Sequence, residues 1–396
     1  MTLRPLEGIR ILDLSRVLAG PYTSMMLADF GADVIKIETL EVGDDSRAFG
    51  PFVGKESAYF MSLNRGKRSM TLNLKSSEGQ VIFKKMVKEA DVVLENYRPG
   101  VMEKFGLGYE VLREINPRVV YAACSGFGHS GPYMTKPAYD IIVQGLGGIM
   151  SITGQEGGEP TRVGASVGDI TAGLFTAIGI LTALYSRAIT GRGQKVDVAM
   201  LDCQVAILEN AISRYLVSGT VPSPIGNRHP SITPFEAFRA QDGFIIIAIG
   251  NDRLWAKFCQ LIQREDLVTD EYFVTNADRT KNQKQLKAIL DKKFPARTVA
   301  EWIKVLDGAG IPCGPINTID KVLADPQVKS RNMIVEIENP VAGHFKMPGI
   351  PIKLSATPGS VELPAPLLGQ HTDEILQELL GMSVQQIADL RSKKVI

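Results

Sequence analysis

The sequence has few of the residues on which several kinds of protein depend. It contains only 4 histidines and 4 cysteines in 396 residues, and the cysteines stand singly, without a Cys-x-x-Cys pair. This spacing predicts reduced thiols and argues against both a disulfide framework and a zinc site. The histidines have no metal-ligand spacing among themselves, so no metal centre is expected.

Neither sign of charge is in excess, since 44 Lys and Arg residues stand against 43 Asp and Glu residues. Such a chain has no global field to attract nucleic acid or an anionic membrane surface. The longest apolar run, residues 174–185, is interrupted by Thr and Gly and is shorter than the roughly 20 residues of a membrane helix. No secretory signal is visible at the N-terminus. We therefore expect a cytoplasmic protein without a nucleic-acid or membrane partner.

Strand and helix patterns alternate through the first third of the chain. A β-rich run at residues 8–14 is followed by a helix pattern at 21–30 and a second β-rich run at 32–38. This is the pattern of a βαβ unit, and it continues as far as a strand predicted at 118–124. It predicts an α/β fold with a parallel, doubly wound sheet. Ligands of such sheets bind at the carboxyl ends of the strands.

A stretch rich in Pro and Gly, residues 220–234, marks the best candidate for a domain boundary. It is preceded by a long apolar helix predicted over 170–189 and by a strand and helix reaching about residue 218. It is followed by a strand predicted at 244–249 and several amphipathic helices. The second part of the chain is therefore expected to form a smaller α+β domain.

One glycine-rich motif superficially predicts a dinucleotide site. Residues 126–131 fit the pattern G-x-G-x-x-G and follow a predicted strand. The motif requires a helix that opens directly from the glycines, but Pro132 and Pro137 interrupt any such helix. A nicotinamide or flavin cofactor is therefore not expected.

The position of Asp169 allows two interpretations. It directly precedes the apolar helix predicted over 170–189, where Asp is a preferred N-cap. The same placement sets a carboxylate beside small residues that let a substrate approach, and such an anion serves as a nucleophile. Basic residues near the predicted strand ends, such as Lys75 and Arg98, likewise allow two interpretations, a solvated charged face or a phosphate site.

Several stretches follow one another in order along the chain: LEGIRILDLSRVLAGPYTSMMLADFGADVIKIE, SLNRGKRSMTLNLKSSEG, ADVVLENYRPG, SGFGHSGPY with PAYD, VGDITAG, IPCGPINT and LLGQHTDEIL. Taken together, they resemble the class III CoA-transferase family, which includes formyl-CoA and carnitine CoA-transferases. The resemblance implies a Rossmann-like doubly wound large domain, residues 1–220 with 330–396 returning to it, and a small domain, 226–325. It also implies an interlocked homodimer that uses CoA thioesters as substrates, with no tightly bound cofactor.

The resemblance assigns Asp169 the role of nucleophile, which forms mixed anhydrides and an aspartyl-CoA thioester. It also implies a set of CoA contacts, which favours phosphate binding over a solvated face. This set comprises Leu18, Ala19, Leu72, Asn73, Leu74, Lys75, Asn96, Tyr97, Arg98, Lys104, Pro137, Ala138, Tyr139 and Asp140.

The chain departs from the formyl-CoA transferase pattern at Leu18, where Gln is usual, at Thr39, where Arg is usual, and in lacking a tetraglycine loop. These departures argue against formyl-CoA and oxalate as substrates. Residues 226–230 instead resemble members that move CoA between dicarboxylic acids. Arg228, with His229 beside it, is therefore expected to bind a distal carboxylate, the alternative being a structural linker arginine. Succinyl-CoA with a short or medium dicarboxylate is the expected substrate pair.

The nearest rival function is that of the 2-methylacyl-CoA racemases, which share the fold. The resemblance implies that these enzymes carry a histidine base where this chain has Tyr139. An ordinary tyrosine, with a pKa of about 10, is a poor base near neutral pH. Tyr139 therefore favours a transferase.

Overall fold

The structure, a computed structural model, describes residues 4–396, which form two compact units. The first unit comprises residues 4–149 together with 162–213 and 326–396, and the second comprises 150–161 and 214–325. The first unit therefore combines the two ends of the described chain. Residues 150–161 and 214–220, which the sequence placed with the large domain, group with the second unit instead.

The first unit is built on a six-stranded parallel sheet. The strands of the described chain are β1 (Arg10–Asp13), β2 (Asp33–Glu38), β3 (Phe52–Val53), β4 (Glu56–Ser57), β5 (Lys67–Thr71), β6 (Val92–Glu95), β7 (Val120–Ser125), β8 (Lys195–Ala199), β9 (Phe235–Arg239), β10 (Phe244–Ala248), β11 (Cys313–Pro315), β12 (Ile334–Asn339) and β13 (Gly343–Pro348). The large sheet has the order β5-β2-β1-β6-β7-β8. This is a doubly wound order, and the direction of winding reverses between β1 and β6.

Helices connect the strands. They are α1 (Ala19–Asp29), α2 (Ala58–Asn64), α3 (Ser77–Val87), α4 (Val101–Lys104), α5 (Tyr109–Ile115), α6 (Asp140–Leu146), α7 (Ile149–Ile152), α8 (Val167–Thr190), α9 (Met200–Ile207), α10 (Asn210–Ser218), α11 (Asp252–Leu261), α12 (Asp266–Thr269), α13 (Asn276–Lys281), α14 (Gln283–Asp291), α15 (Val299–Gly308), α16 (Ile319–Ala324), α17 (Pro326–Ser330), α18 (Thr372–Leu380) and α19 (Val384–Ser392). Short 3₁₀ turns occupy Asp45–Ala48 and Phe294–Ala296.

Both faces of the large sheet are covered, because every strand of its centre is apolar on both sides. Leu12, Ile35 and Val93 pack into one buried cluster with side chains of α3, α5, α18 and α19. Their neighbours Ile11 and Val34 pack into a second cluster with α1 and α8. The predicted α/β architecture with a central parallel sheet is therefore confirmed.

Helix α8 is 24 residues long, longer than the sequence predicted, and is apolar enough to cross a membrane by length and composition alone. Its buried face consists mainly of small residues such as Ala172, Gly173 and Ala183. A Cβ atom on Gly173 would stand 2.8 Å from the carbonyl oxygen of Ala19, so glycine permits α1 and α8 to approach closely. In this unit α8 thus acts as a core helix of the α/β layer, although only 44% of its most apolar window is buried.

The second unit has an antiparallel sheet of order β11-β10-β9 and its own core. Its core is rich in aromatic side chains, and Phe294 stacks on Phe238 with 4.7 Å between ring centroids. The helix predicted to reach about residue 218 is broken in two at Glu209, whose φ of 37° lies in the left-handed region.

Candidate active site

A small cavity of about 210 Å³ lies at the carboxyl ends of β1, β6 and β7. We call it the inner cavity. It contains Asp169 on its wall, together with eight of the residues implied as CoA contacts. These are Leu18, Ala19, Asn96, Tyr97, Arg98, Pro137, Ala138 and Tyr139. The other lining residues are Arg16, Val17, Asp45, Pro99, Cys124, Ser125, Gly126, Met134, Lys136 and Met200.

A wider cavity of about 780 Å³, the outer cavity, lies next to the inner one. It is lined by four further predicted residues, Leu72, Asn73, Leu74 and Lys75. The two cavities share three wall residues, Arg16, Tyr97 and Arg98. The two cavities therefore adjoin along these residues, and we call the pair, which extends from Asp169 to the end of β5, the groove.

Four predicted site residues lie elsewhere. Lys104 ends α4 and lines neither cavity, and the same holds for Asp140. Arg228 and His229 belong to the second unit. The structure thus brings together most, but not all, of the predicted contacts.

Asp169 is not the N-cap of α8. That position is held by Ser166, and Asp169 is the third residue of the helix. Its carboxylate has no hydrogen-bond or ion-pair partner within residues 4–396. Burial, and secondarily the nearby charge of Asp140, raise the pKa of Asp169 from 3.8 to about 7. A carboxylate in this state is poorly solvated and correspondingly reactive when ionised.

Asp140, and not Asp169 as the sequence suggested, caps the N-terminus of α8. Its Oδ1 accepts a 2.8 Å hydrogen bond from the backbone N–H of Gly168, in the first turn of α8. Its Oδ2 accepts hydrogen bonds from Gln144 at 2.8 Å and from Arg162 at 3.2 Å. Because these partners occupy the carboxylate, Asp140 positions the start of α8 and does not face the groove.

Buried charges fix the turn that follows β1. The Lys36 ammonium donates a 2.7 Å hydrogen bond to the Ser15 carbonyl and pairs with Asp44 at 2.8 Å, and all of these charges are fully buried. Asp44 in turn accepts the backbone N–H of Val17 at 3.0 Å. Burial alone would raise the pKa of Asp44, but Lys36 outweighs burial and holds it well below its usual range. Val17 keeps a φ of 67°, a conformation uncommon for a β-branched residue.

A second anchored loop follows β6. Glu95 is 1% exposed, and its Oε2 accepts the backbone N–H of Tyr97 at 2.7 Å. Burial raises the pKa of Glu95 to about 7. Asn96 joins the two loops, because its side chain accepts from the N–H of Arg16 at 2.9 Å and donates to the Arg16 carbonyl at 2.7 Å. The two loops at the switch point of the sheet are therefore one rigid assembly.

In the second unit, Arg228 is weakly paired and His229 is engaged. The Arg228 Nη2 atom lies 3.9 Å from Glu156, and its buried Nε atom has no hydrogen-bond partner among the described residues. The ring of His229 packs against Phe235 and accepts the N–H of Ser231 at 3.1 Å. Arg228 thus keeps donors for a ligand, whereas His229 shapes its own loop.

The sequence interpretation missed several wall residues, above all Arg16 and Lys136. Arg16 stands two positions before Leu18 in the same turn, and this proximity was the available signal. Cys124 and Met200 also line the inner cavity. Their position there could not be read from the sequence, because it depends on the strand order, which places β7 and α9 beside α8.

The arrangement suits a long ligand with a reactive end and an anionic end. The inner cavity is smaller than the roughly 300–1,000 Å³ of an ordinary ligand site, whereas the outer cavity falls within that range. Asp169 offers an unpartnered carboxylate at one end of the groove. Lys75 offers a cation without an ion-pair partner, in the described chain, toward the other end, and Arg98 offers a second one where the two cavities adjoin.

The chain was compared with known proteins. Residues 6–372 match the model of CoA-transferase family III. The acetyl-CoA:oxalate CoA-transferase of Acetobacter aceti is 44% identical over 376 residues, which cover 94% of this chain and 95% of the relative. The human succinyl-CoA:glutarate CoA-transferase is 39% identical over 395 residues, covering 100% and 90%. The crystal structure of a CaiB/BaiF family protein from Brucella suis superimposes with a TM-score of 0.85 at 40% identity, covering 96% of this chain and 100% of that one. The chain belongs to CoA-transferase family III.

Proposed function

We propose that this CoA-transferase moves CoA from succinyl-CoA to a short or medium dicarboxylic acid, with Asp169 as the nucleophile. The observation that carries the proposal is the unpartnered, desolvated carboxylate of Asp169 at the narrow end of a groove that is basic at its wide end. The names of two relatives, which pair succinyl-CoA with glutarate or acetyl-CoA with oxalate, support a dicarboxylate acceptor.

In the proposed reaction, an Asp169 carboxylate oxygen attacks the carbonyl carbon of succinyl-CoA. The carbon–sulfur bond breaks, and the products are a mixed anhydride and CoA thiolate. The thiolate attacks the aspartyl carbonyl and expels succinate, which leaves an aspartyl-CoA thioester. The acceptor carboxylate then attacks the aspartyl carbonyl, the carbon–sulfur bond breaks, and a new anhydride and CoA thiolate form. The thiolate finally attacks the acceptor carbonyl, which yields the new acyl-CoA and releases the Asp169 carboxylate. The anhydride keeps the activation of the thioester only if water is excluded, which suits a small cavity.

The trapping of the thioester tests the reaction. After incubation with succinyl-CoA, borohydride should reduce the wild-type protein at Asp169, and mass analysis of the peptides should locate the change. Asp169→Ala should remain unmodified. Asp202→Asn, which removes an exposed carboxylate from the first turn of α9, should be trapped like the wild type. An unmodified wild type that exchanges the α-proton of a 2-methylacyl-CoA with solvent would instead identify a racemase.

We propose that Arg228 binds the distal carboxylate of the acceptor. Its buried Nε atom lacks a hydrogen-bond partner among the described residues, and its contact with Glu156 is long. Arg228→Ala should raise the KM for glutarate about tenfold, the loss of one charge-assisted contact, and leave the KM for butyrate unchanged. Lys284→Ala is the control, because Lys284 pairs with the same Glu156 at 3.0 Å and is exposed. Oxalate should be tested as a further acceptor, because one relative is named an acetyl-CoA:oxalate CoA-transferase.

We also propose that the protein is a homodimer, interlocked as the family resemblance implies. Support comes from α8, whose outward side carries Leu174, Ile178, Leu181, Tyr185 and Ile189 along one helical face, all at least 41% exposed. Contiguous apolar faces of this kind mark association surfaces. Sedimentation equilibrium should give twice the chain mass, and Ile178→Glu should reduce it. A monomeric wild type would contradict the dimer.

A further inference from the structure

Arg16 occupies a particular place in the groove. It lines the inner cavity with Asp169, the outer cavity with Lys75, and a third small cavity behind the turn that follows β1. Only Tyr97 shares this distribution among the lining residues of the three cavities. Arg16 therefore lies where the inner and outer cavities adjoin.

The backbone of Arg16 is held more firmly than its side chain. Both its N–H and its carbonyl are bonded to Asn96, and the flanking residues Ser15 and Val17 are tied to buried Lys36 and Asp44. Strained and over-determined backbone of this kind persists where a side chain must be presented accurately. The side chain itself is 50% exposed, so the turn presents a solvent-accessible cation.

The present partner of Arg16 is one that an anionic ligand can replace. Its guanidinium pairs with Asp45 at 3.0 Å, and both side chains are about half exposed. It also lies over the ring of Tyr97, 5.5 Å from the centroid. Exposed ion pairs contribute little to stability, whereas the planar guanidinium fork binds phosphate oxygens in a bidentate manner.

We propose that Arg16 is a CoA-binding residue that exchanges Asp45 for the pyrophosphate of the nucleotide. This inference rests on the proposed function, because it requires the thioester at Asp169 and the nucleotide in the outer cavity. In that orientation the pyrophosphate, which connects the pantetheine arm to adenosine, comes to the junction where Arg16 stands. The neighbouring Arg98, also at the junction and unpaired in the described chain, adds a second positive charge there.

Calorimetric titration of the full-length protein with CoA, dephospho-CoA and pantetheine tests the assignment. Arg16→Ala should lower the affinity for CoA and for dephospho-CoA by the same factor, about tenfold, because one charge-assisted contact is lost in each complex. Pantetheine, which has no phosphate, should bind both proteins equally. The KM for the acceptor should not change. Arg113→Ala is a matched control, because Arg113 is 55% exposed, pairs with Glu110 at 2.8 Å, lies 5.8 Å from the Tyr109 ring and lines neither cavity.

The exchange with Asp45 has its own test. Asp45→Asn removes the competing anion and should tighten CoA binding by up to about fivefold. Unchanged CoA affinity in this variant overturns the exchange. If Arg16→Ala lowers the affinity for CoA but not for dephospho-CoA, Arg16 binds the 3′-phosphate. That result overturns the pyrophosphate proposal. If the wild type binds none of the three ligands, the proposed function itself fails.

Discussion

Replacement of Asp169 by asparagine should make the protein more stable at alkaline pH, although it abolishes the proposed nucleophile. The raised pKa of Asp169, about 7 instead of 3.8, means that the folded chain binds this proton more tightly than the unfolded chain. Each pKa unit corresponds to about 1.4 kcal/mol, so ionising Asp169 costs the folded state ~4 kcal/mol.

The sign of the pH effect follows from the two pKa values. Below about pH 4 both states hold the proton, and no cost arises. Between about pH 4 and 7 the unfolded chain is ionised while the folded chain is not, so stability falls as the pH rises. Above pH 7 the full cost is present. Asparagine carries no ionisable group and avoids this cost at every pH.

Asp169→Asn should therefore gain ~4 kcal/mol over the wild type at pH 8 and about 1.6 kcal/mol at pH 5. Urea titrations at the two pH values, followed by far-UV circular dichroism, measure the difference. Tryptophan fluorescence is unsuitable, since both tryptophans, Trp255 and Trp302, lie in the second unit and Asp169 lies in the first. The control Asp202→Asn, at an exposed site, should stay within about 0.5 kcal/mol at both pH values. An equal gain for Asp169→Asn at pH 5 and pH 8 would refute the desolvation argument.

Three other substitutions test neighbouring features. Asp140→Asn removes the charge that helps to raise the pKa of Asp169, so the rise of the transfer rate with pH should move below pH 7; an unmoved profile contradicts this coupling. Lys67→Met leaves the buried Asp13, 3.2 Å from the Lys67 ammonium, without that partner and should cost about 3–5 kcal/mol in urea denaturation, whereas the double replacement with Asp13→Leu should recover part of the loss. Gly173→Ala forces a Cβ to within 2.8 Å of a backbone carbonyl of α1 and should lower the free energy of unfolding by about 1–3 kcal/mol; a variant as stable as the wild type shows that the two helices separate easily.

Much of the fold was predictable because its strands have strong local patterns. The first βαβ unit lies within two residues of its prediction, and so does β7, which was predicted at 118–124. The hairpin of β12 and β13 was missed, since its alternation is weak and Asn339, which turns the chain, is followed by a proline. The break at Glu209 was also missed, because a single left-handed residue has no pattern of its own.

Many residues named from the sequence line the two cavities, but the interactions that hold them in place were not predictable from the sequence. Sequence motifs brought Asn96, Tyr97 and Arg98 into the site by resemblance, and the structure places them on the groove wall. No motif predicts that Asp140 caps α8 by accepting the N–H of Gly168, which is 28 positions away in the sequence. This contact depends on how α6 packs against α8. The position of Arg16 at the junction likewise depends on the sheet order, which brings the loops after β1 and β6 together.

The two carboxylates at the start of α8 explain how the fold keeps a reactive acid unpartnered. A helix N-terminus presents N–H groups that would solvate an aspartate and lower its pKa. Here Asp140 takes the N–H of Gly168 and is itself stabilised by Gln144 and Arg162, so that capping does not require Asp169. Asp169 is left desolvated, with its pKa raised by burial and by the charge of Asp140. The stability that Asp169→Asn should recover is therefore the free energy that the folded protein gives up to hold a nucleophile ready.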